Sequence, residues 1–139
     1  MAQEYETLLS VFKDHTAIVN TLWGIFQAVG LAFLGFVYSQ DHVRRNAWVL
    51  AGLSIGFVIF AIGNQKAILR SQAVLRAAQE QFHDPIFVET IPSSLRGTVE
   101  AHTALSVEDI RRAHITFTLG VTVGAWLPFV AAALRRWVI

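Results

Sequence analysis

Two side-chain amides lie inside the first long apolar run of the chain, which extends over residues 18–38. Asn20 and Gln27 are two helical turns apart, so they share one helix face, with Gly24 between them. An amide in hydrocarbon costs free energy unless it finds a hydrogen-bond partner. It can find that partner on a neighbouring helix, or it can line a water-filled path. We favour the helix contact, because no charged residue lies deep in any apolar run and a selective ion path usually uses charged groups or rings of carbonyls.

The histidines give weaker indications of chemistry. There are five, at positions 15, 42, 83, 102 and 114, and no two have the spacing that places two metal ligands on one helix face. Only His114 is a candidate for function, because it precedes the third apolar run in line with Thr118 and Thr122. Our favoured interpretation is still an ordinary hydrated histidine at the membrane interface. The sequence predicts no metal site.

Catalytic motifs are also missing from the sequence. The absence of Cys excludes disulfides, thiolate metal ligands and a cysteine nucleophile. There is no glycine-rich phosphate loop and no zinc-protease helix motif, and the glycines are interpreted as packing surfaces, not as a nucleophile elbow. Ser106 is followed by Glu108 and Asp109, a pattern that indicates a helix N-cap with acidic residues in the first helical turn. We expect a protein that is not an enzyme and has no cofactor.

The composition favours one membrane-embedded domain. Of the 139 residues, 54% are hydrophobic and only 15% are charged, which is more apolar than an ordinary soluble domain. A spanning helix needs roughly 20 mostly apolar residues. Three runs are close to that length, at about 18–38, 47–63 and 115–134. The net charge of +1 and the position of the basic residues beside these runs argue against nucleic-acid binding.

The segments between the spans differ in kind. The first helix is expected to begin well before residue 18, and an extramembrane helix over 64–82 is expected to continue the second span. The polar connection Ser39 to Asn46 is short enough for a tight link between two helices. Residues 83–105 are predicted to be irregular, with an extended run at 86–88, because Pro85 and Pro92 each interrupt a helix. Pro128 is expected to kink the third span.

Small residues recur at four-residue spacing on all three spans, a pattern that lets helix backbones approach closely in lipid. These pairs are Gly24 with Ala28, Gly52 with Gly56, and Gly120 with Gly124. One chain cannot easily bury every such face. We therefore expect an all-α integral membrane protein with three transmembrane helices that form a helix-bundle oligomer.

The expected function is that of a small subunit or scaffold in a membrane complex. Its partners would be the lipid bilayer and either copies of the same chain or other membrane subunits. The alternative is a homo-oligomeric pore or membrane-perturbing protein whose axis is lined by Asn20 and Gln27. An enzyme that acts inside the membrane is the third and least favoured hypothesis.

Basic and aromatic residues mark the ends of the spans, as is typical at the membrane interface. These interfacial residues are Arg44, Arg45, Arg135, Arg136 and Trp137. Three spans place the amino terminus and the long second loop on one side of the cell membrane. The total number of Lys and Arg residues favours a cytoplasmic long loop, whereas the residues flanking the first span favour the opposite orientation. We expect the long loop in the cytoplasm.

Overall fold

The computed structural model describes residues 2–85, 89 and 104–138, which form four helices. Helix α1 comprises Ala2–Ser39, α2 comprises Asp41–Arg45, α3 comprises Ala47–Phe82 and α4 comprises Val107–Val138. No strand occurs in this part of the chain. The all-α prediction is confirmed for the described residues.

Three of these helices are long and apolar enough to cross a membrane, over Tyr5–Ser39, Ala47–Phe82 and Val107–Arg135. This pattern indicates a membrane protein. The two predicted helical extensions are also present. Helix α1 begins at Ala2, and α3 continues without a break through the predicted extramembrane part to Phe82. Helix α4 continues through Pro128.

Side-chain caps determine where α3 and α4 begin. The first N–H groups of a helix have no acceptor within it, and a preceding Ser or Asn can supply one. The N–H of Asp109 donates to Oγ of Ser106 at 3.0 Å, as the sequence predicts. Oδ1 of Asn46 accepts hydrogen bonds from the N–H groups of Trp48 at 3.0 Å and Val49 at 3.3 Å. Each cap satisfies backbone groups that would otherwise lack a partner.

The chain divides into two compact units. Unit 1 comprises Met1–Trp23 and Lys66–Ile110, and unit 2 comprises Gly24–Gln65 and Arg111–Ile139. Unit 1 thus contains the predicted extension of α3 from Lys66 onward, and unit 2 contains its first two residues and most of the predicted membrane spans.

In unit 1, aromatic and aliphatic side chains of α1 pack against the end of α3. The ring of Phe82 meets those of Tyr5 and Phe12 edge to face, with centroids 6.1 and 6.2 Å apart. The buried members of this core are Phe12, Val19, Ile68, Leu75, Ala78, Phe82 and Ile110. Two polar side chains of α3 hold the chain that leads into α4. Gln79 accepts a hydrogen bond from the N–H of Ala104, and Arg76 donates to the carbonyl of Leu105.

In unit 2, α1 and α3 run antiparallel. Phe26 and Phe33 both stack on Phe57, whereas the later residue Val37 shares a buried cluster with the earlier residue Leu50. Ala125 of α4 belongs to the same cluster, as does Val43 of α2. The buried Val43 side chain explains how the predicted tight connection is held in place.

The predicted irregular segment is described at residues 83–85, 89, 104 and 105. His83 and Asp84 follow the end of α3 and residues 104–106 are non-helical, as predicted, whereas residues 85 and 89 are helical, so the prediction of an irregular segment is wrong at those two positions. Proline fits the first turn of a helix, where its missing N–H would have no acceptor. Residues 86–88 and 90–103 lie outside the described residues, and with them the predicted extended run, Pro92 and His102.

Candidate functional site

A buried histidine and a buried asparagine are hydrogen-bonded to each other in unit 2. His114 is 2% exposed and Asn64 is 7% exposed. Nε2 of His114 lies 3.0 Å from Oδ1 of Asn64, so the ring N–H donates to the amide oxygen. The prediction that the His114 side chain is hydrated is wrong, because that side chain is buried. The reason is the helical turn of α4, which places His114 on the same face as the buried residues Val121 and Ala125.

The aromatic side chain of Phe26 packs against the imidazole ring of this pair. Phe26 is fully buried, and its ring stacks on the imidazole of His114 with centroids 3.8 Å apart and an angle of 18° between the planes. Phe117 packs against Phe26 at 4.9 Å, and Phe57 lies parallel to it at 6.2 Å. The imidazole is therefore fixed by both a hydrogen bond and an aromatic face. Buried polar side chains are costly in a membrane-spanning segment and often mark function there.

A second polar contact joins α3 and α4 in the same unit. Nε1 of Trp126 donates to Oγ of Ser54 at 3.1 Å, and Ser54 is 7% exposed. Ser54 is the centre of the sequence Gly52-Leu-Ser-Ile-Gly56, which has the spacing of an esterase nucleophile. A nucleophile elbow requires a sharp turn from strand to helix, but residues 52–56 lie inside α3. The contact of Ser54 with Trp126 is structural.

The amides predicted as site residues lie on the surface of the chain. Asn20 is exposed in unit 1, and Gln27 is exposed in unit 2. A methyl group added at Gly24 would have no neighbouring atom within 4 Å. In the described part of the chain, Gly24 and Gln27 do not pack into the core of unit 2. Among the residues that the structure describes, neither amide makes the predicted contact with another helix.

The other glycines predicted to pack against a helix also lie open, except Gly124. Methyl groups added at Gly52, Gly56 and Gly120 would meet no atom within 4 Å. One added at Gly124 would lie 3.4 Å from Cδ2 of Leu34, an ordinary contact. The glycine that α1 and α4 use for close packing is Gly30, which sequence reasoning missed.

Gly30 is buried, and a methyl group there would lie 2.7 Å from Cε1 of Phe117. Gly30 lies one turn after Phe26 and two turns before Val37 on the same helix face. Nothing in the sequence marked that face as the buried one.

The structure describes the side chains of three of the five predicted interfacial residues. Arg44 forms an ion pair with Asp41, and Arg45 and Arg135 are exposed. The side chains of Arg136 and Trp137 lie outside the described residues. Trp48, which was not singled out, is 88% exposed at the start of α3, where an exposed indole is typical of a membrane interface.

Among the described residues, no three His, Asp or Glu side chains lie close enough together to hold a metal ion. Comparisons with known proteins found no protein-family model, curated protein or solved structure that matches this chain.

Proposed function

We propose that this protein is a non-enzymatic, multi-span membrane protein that associates with copies of itself, as a subunit or scaffold of a membrane complex. The observation that carries the proposal is the exposure of Gln27 beside the open face of Gly24. An amide in contact with hydrocarbon has lost its hydrogen bonds to water without replacement. A second protein surface restores those bonds.

Self-association is favoured over a different partner by the chemistry of the amide. A glutamine side chain both donates and accepts hydrogen bonds. Gln27 of one copy can therefore pair with Gln27 of another across a two-fold axis, the commonest symmetry of oligomers. Gly24 is one turn away, and its lack of a side chain lets the two helix backbones approach closely.

The open glycines on the other helices of unit 2 support the proposal. Gly52 and Gly56 on α3 are exposed and one turn apart, and Gly120 is exposed on α4. Glycines that pack against nothing in their own chain cost helix stability relative to alanine. A contact with another chain would offset that cost.

The exposure of Gln27 also favours a second candidate function, a homo-oligomeric pore. In a ring of chains with α1 innermost, Asn20 and Gln27 would be hydrated along the axis, as polar residues of water-filled paths are. The two candidates differ in what removing the amides should do.

The discriminating experiment compares Asn20→Leu, Gln27→Leu and the double variant with the unmodified chain. The full chain is purified in detergent, its oligomeric mass is measured by native mass spectrometry, and ion leakage is measured after reconstitution into liposomes. For a subunit held by amide contacts, each variant weakens association by roughly five-fold for a lost hydrogen bond of about 1 kcal/mol. Thr21→Val is the matched control, because the exposed Thr21 hydroxyl already donates to the carbonyl of Ala17 in its own helix.

The outcomes separate the candidates. Loss of the oligomer in the double variant supports the subunit proposal. An intact oligomer that loses ion leakage supports the pore. A monomeric unmodified chain, or a double variant that changes neither property, contradicts both.

A further inference from the structure

A small groove lies between α3 and α4 in unit 2, next to the buried His114. Its volume is about 110 Å³, and its lining combines four apolar side chains with three polar ones. The lining residues are Ala61, Ile62, Gln65, His114, Ile115, Thr118 and Leu119. Pockets for whole small-molecule ligands are usually about 300–1,000 Å³. The α3–α4 groove therefore has room for only a segment of a larger molecule.

The rim of the α3–α4 groove is apolar and faces outward. Ile62, Ile115 and Leu119 are all exposed, although each is a large aliphatic side chain. All three lie in the helices that are long and apolar enough to cross a membrane. In a bilayer, these side chains would meet lipid chains.

The predicted bounds of the spans also indicate how deep the groove lies in the membrane. Gln65 comes two residues after the predicted end of the second span at residue 63, and His114 comes one residue before the predicted start of the third span at residue 115. By these predicted span bounds, both positions fall at the boundary between the hydrocarbon and the headgroups. Glycerolipids carry their ester carbonyls at this boundary.

Gln65 offers a hydrogen-bond donor at that depth. Its Nε2 atom is buried and has no hydrogen-bond partner among the described residues. A buried donor without an acceptor costs about 1–3 kcal/mol. The hydroxyl of Thr118 already donates to the carbonyl of His114, so its proton does not compete for an acceptor entering the groove.

We infer that the α3–α4 groove binds one chain of a membrane glycerolipid, and that the Gln65 side chain, which lines the groove, turns its buried Nε2 toward the ester carbonyl and donates a hydrogen bond to it. The acyl segment next to the carbonyl lies against Ile62, Ile115 and Leu119. A glycerolipid suits the groove because it joins an acceptor oxygen to an apolar chain at this depth. The inference is independent of self-association, because every groove residue belongs to a single chain and none lies in the Gly24 and Gln27 face.

The test measures lipid binding to the full purified chain in a maltoside detergent, which contains no ester. Binding of a diester phosphatidylcholine is compared with that of the diether analogue, which has the same headgroup and chain length but no ester carbonyls. Native mass spectrometry gives the dissociation constants. The unmodified chain is expected to bind the diester roughly five-fold more tightly, the factor expected for one hydrogen bond.

Gln65→Leu is expected to bind the two lipids equally. This variant should fold, because it replaces a side chain whose buried Nε2 atom has no partner among the described residues with an apolar group of similar size. Ile62→Ala is a second variant that weakens binding of both lipids while keeping the preference for the diester. Gln27→Leu is the matched control, because it removes an exposed amide outside the groove, and it should also keep the preference. Loss of association in that control, with the lipid preference retained, separates the two proposals.

Two results would overturn the inference. One is equal binding of the diester and diether lipids by the unmodified chain, or no binding of either. The other is a preference for the diester that persists in Gln65→Leu. Tighter binding of a long-chain quinone than of the diester lipid, lost in Gln65→Leu, would assign the donor to a different carbonyl compound and would equally overturn the glycerolipid.

Discussion

The imidazole of His114 and the amide of Asn64 are joined by a 3.0 Å hydrogen bond inside unit 2, although 50 positions separate them in the sequence. Both side chains are buried, and Phe26 stacks on the imidazole. The pair connects α3 to α4 in unit 2. It lies next to Phe26, the buried aromatic residue of α1. It is a polar contact with a fixed geometry inside a mainly apolar core.

A double-mutant cycle tests this contact. Asn64→Leu removes the acceptor of a buried N–H and is expected to lower the free energy of unfolding by about 1–3 kcal/mol. His114→Phe keeps a ring that can stack on Phe26 but removes the donor. The double variant should be less destabilised than the sum of the single variants, with a coupling of about 1 kcal/mol. Chemical unfolding in detergent micelles measures these values, and strictly additive effects would show that the pair does not interact.

Gly30 is expected to tolerate no side chain. In Gly30→Ala, the new methyl group would lie 2.7 Å from Cε1 of Phe117, whose ring is confined by Phe26. Overpacking of this kind costs about 1–3 kcal/mol. Gly35→Ala is the matched control on the same helix, because a methyl group there meets nothing within 4 Å, and its better helix propensity should stabilise the protein. Thermal unfolding of both variants in detergent checks the prediction, and equal melting temperatures would contradict it.

Ser54 is expected to contribute to the free energy of unfolding only through its hydrogen bond with Trp126. Ser54→Ala removes the acceptor of the indole N–H and should cost about 0.6 kcal/mol, the average for such contacts between membrane helices. In a Trp126→Phe background the same substitution should have no effect, because the donor is gone. Ser39→Ala is the control, since the exposed Ser39 hydroxyl bonds only within its own helix. Unfolding free energies in micelles measure the difference, and an undiminished effect of Ser54→Ala in the Trp126→Phe background would refute this role.

The start of α4 should depend on the hydroxyl of Ser106. Ser106→Ala leaves the N–H of Asp109 without its acceptor and should destabilise the helix start by about 1 kcal/mol. Ser106→Asp, which restores a capping oxygen, should recover most of the loss. Thermal melts followed by circular dichroism compare the three proteins. A melting temperature for Ser106→Ala equal to that of the unmodified chain would show that the cap contributes nothing.

Local features of the fold were predictable from the sequence. The three apolar runs, the unbroken continuation of the second one to Phe82 and the cap at Ser106 all follow from residues that are neighbours along the chain. Helix formation and capping depend on such neighbours. The sequence therefore determined the helices and their fitness to cross a membrane.

The choice of buried faces was decided only by the tertiary structure. In a soluble helix the apolar face is the buried one. In a membrane helix the lipid is as apolar as leucine, so hydrophobicity does not separate the core face from the lipid face. Sequence reasoning accordingly took Gly24, Gly52 and Gly120 for packing positions, whereas the chain packs through Gly30 and Phe26 and leaves those three glycines open.

The candidate site was missed for the same reason. His114 and Asn64 lie on different helices, and their pairing depends on how far α4 is rotated and shifted against α3. Neither quantity is encoded in the spacing of residues along one helix. The sequence by itself determined three long membrane-competent helices with polar residues among them. Tertiary packing decided which polar residues are enclosed, because only contacts between helices distinguish a protein neighbour from a lipid one.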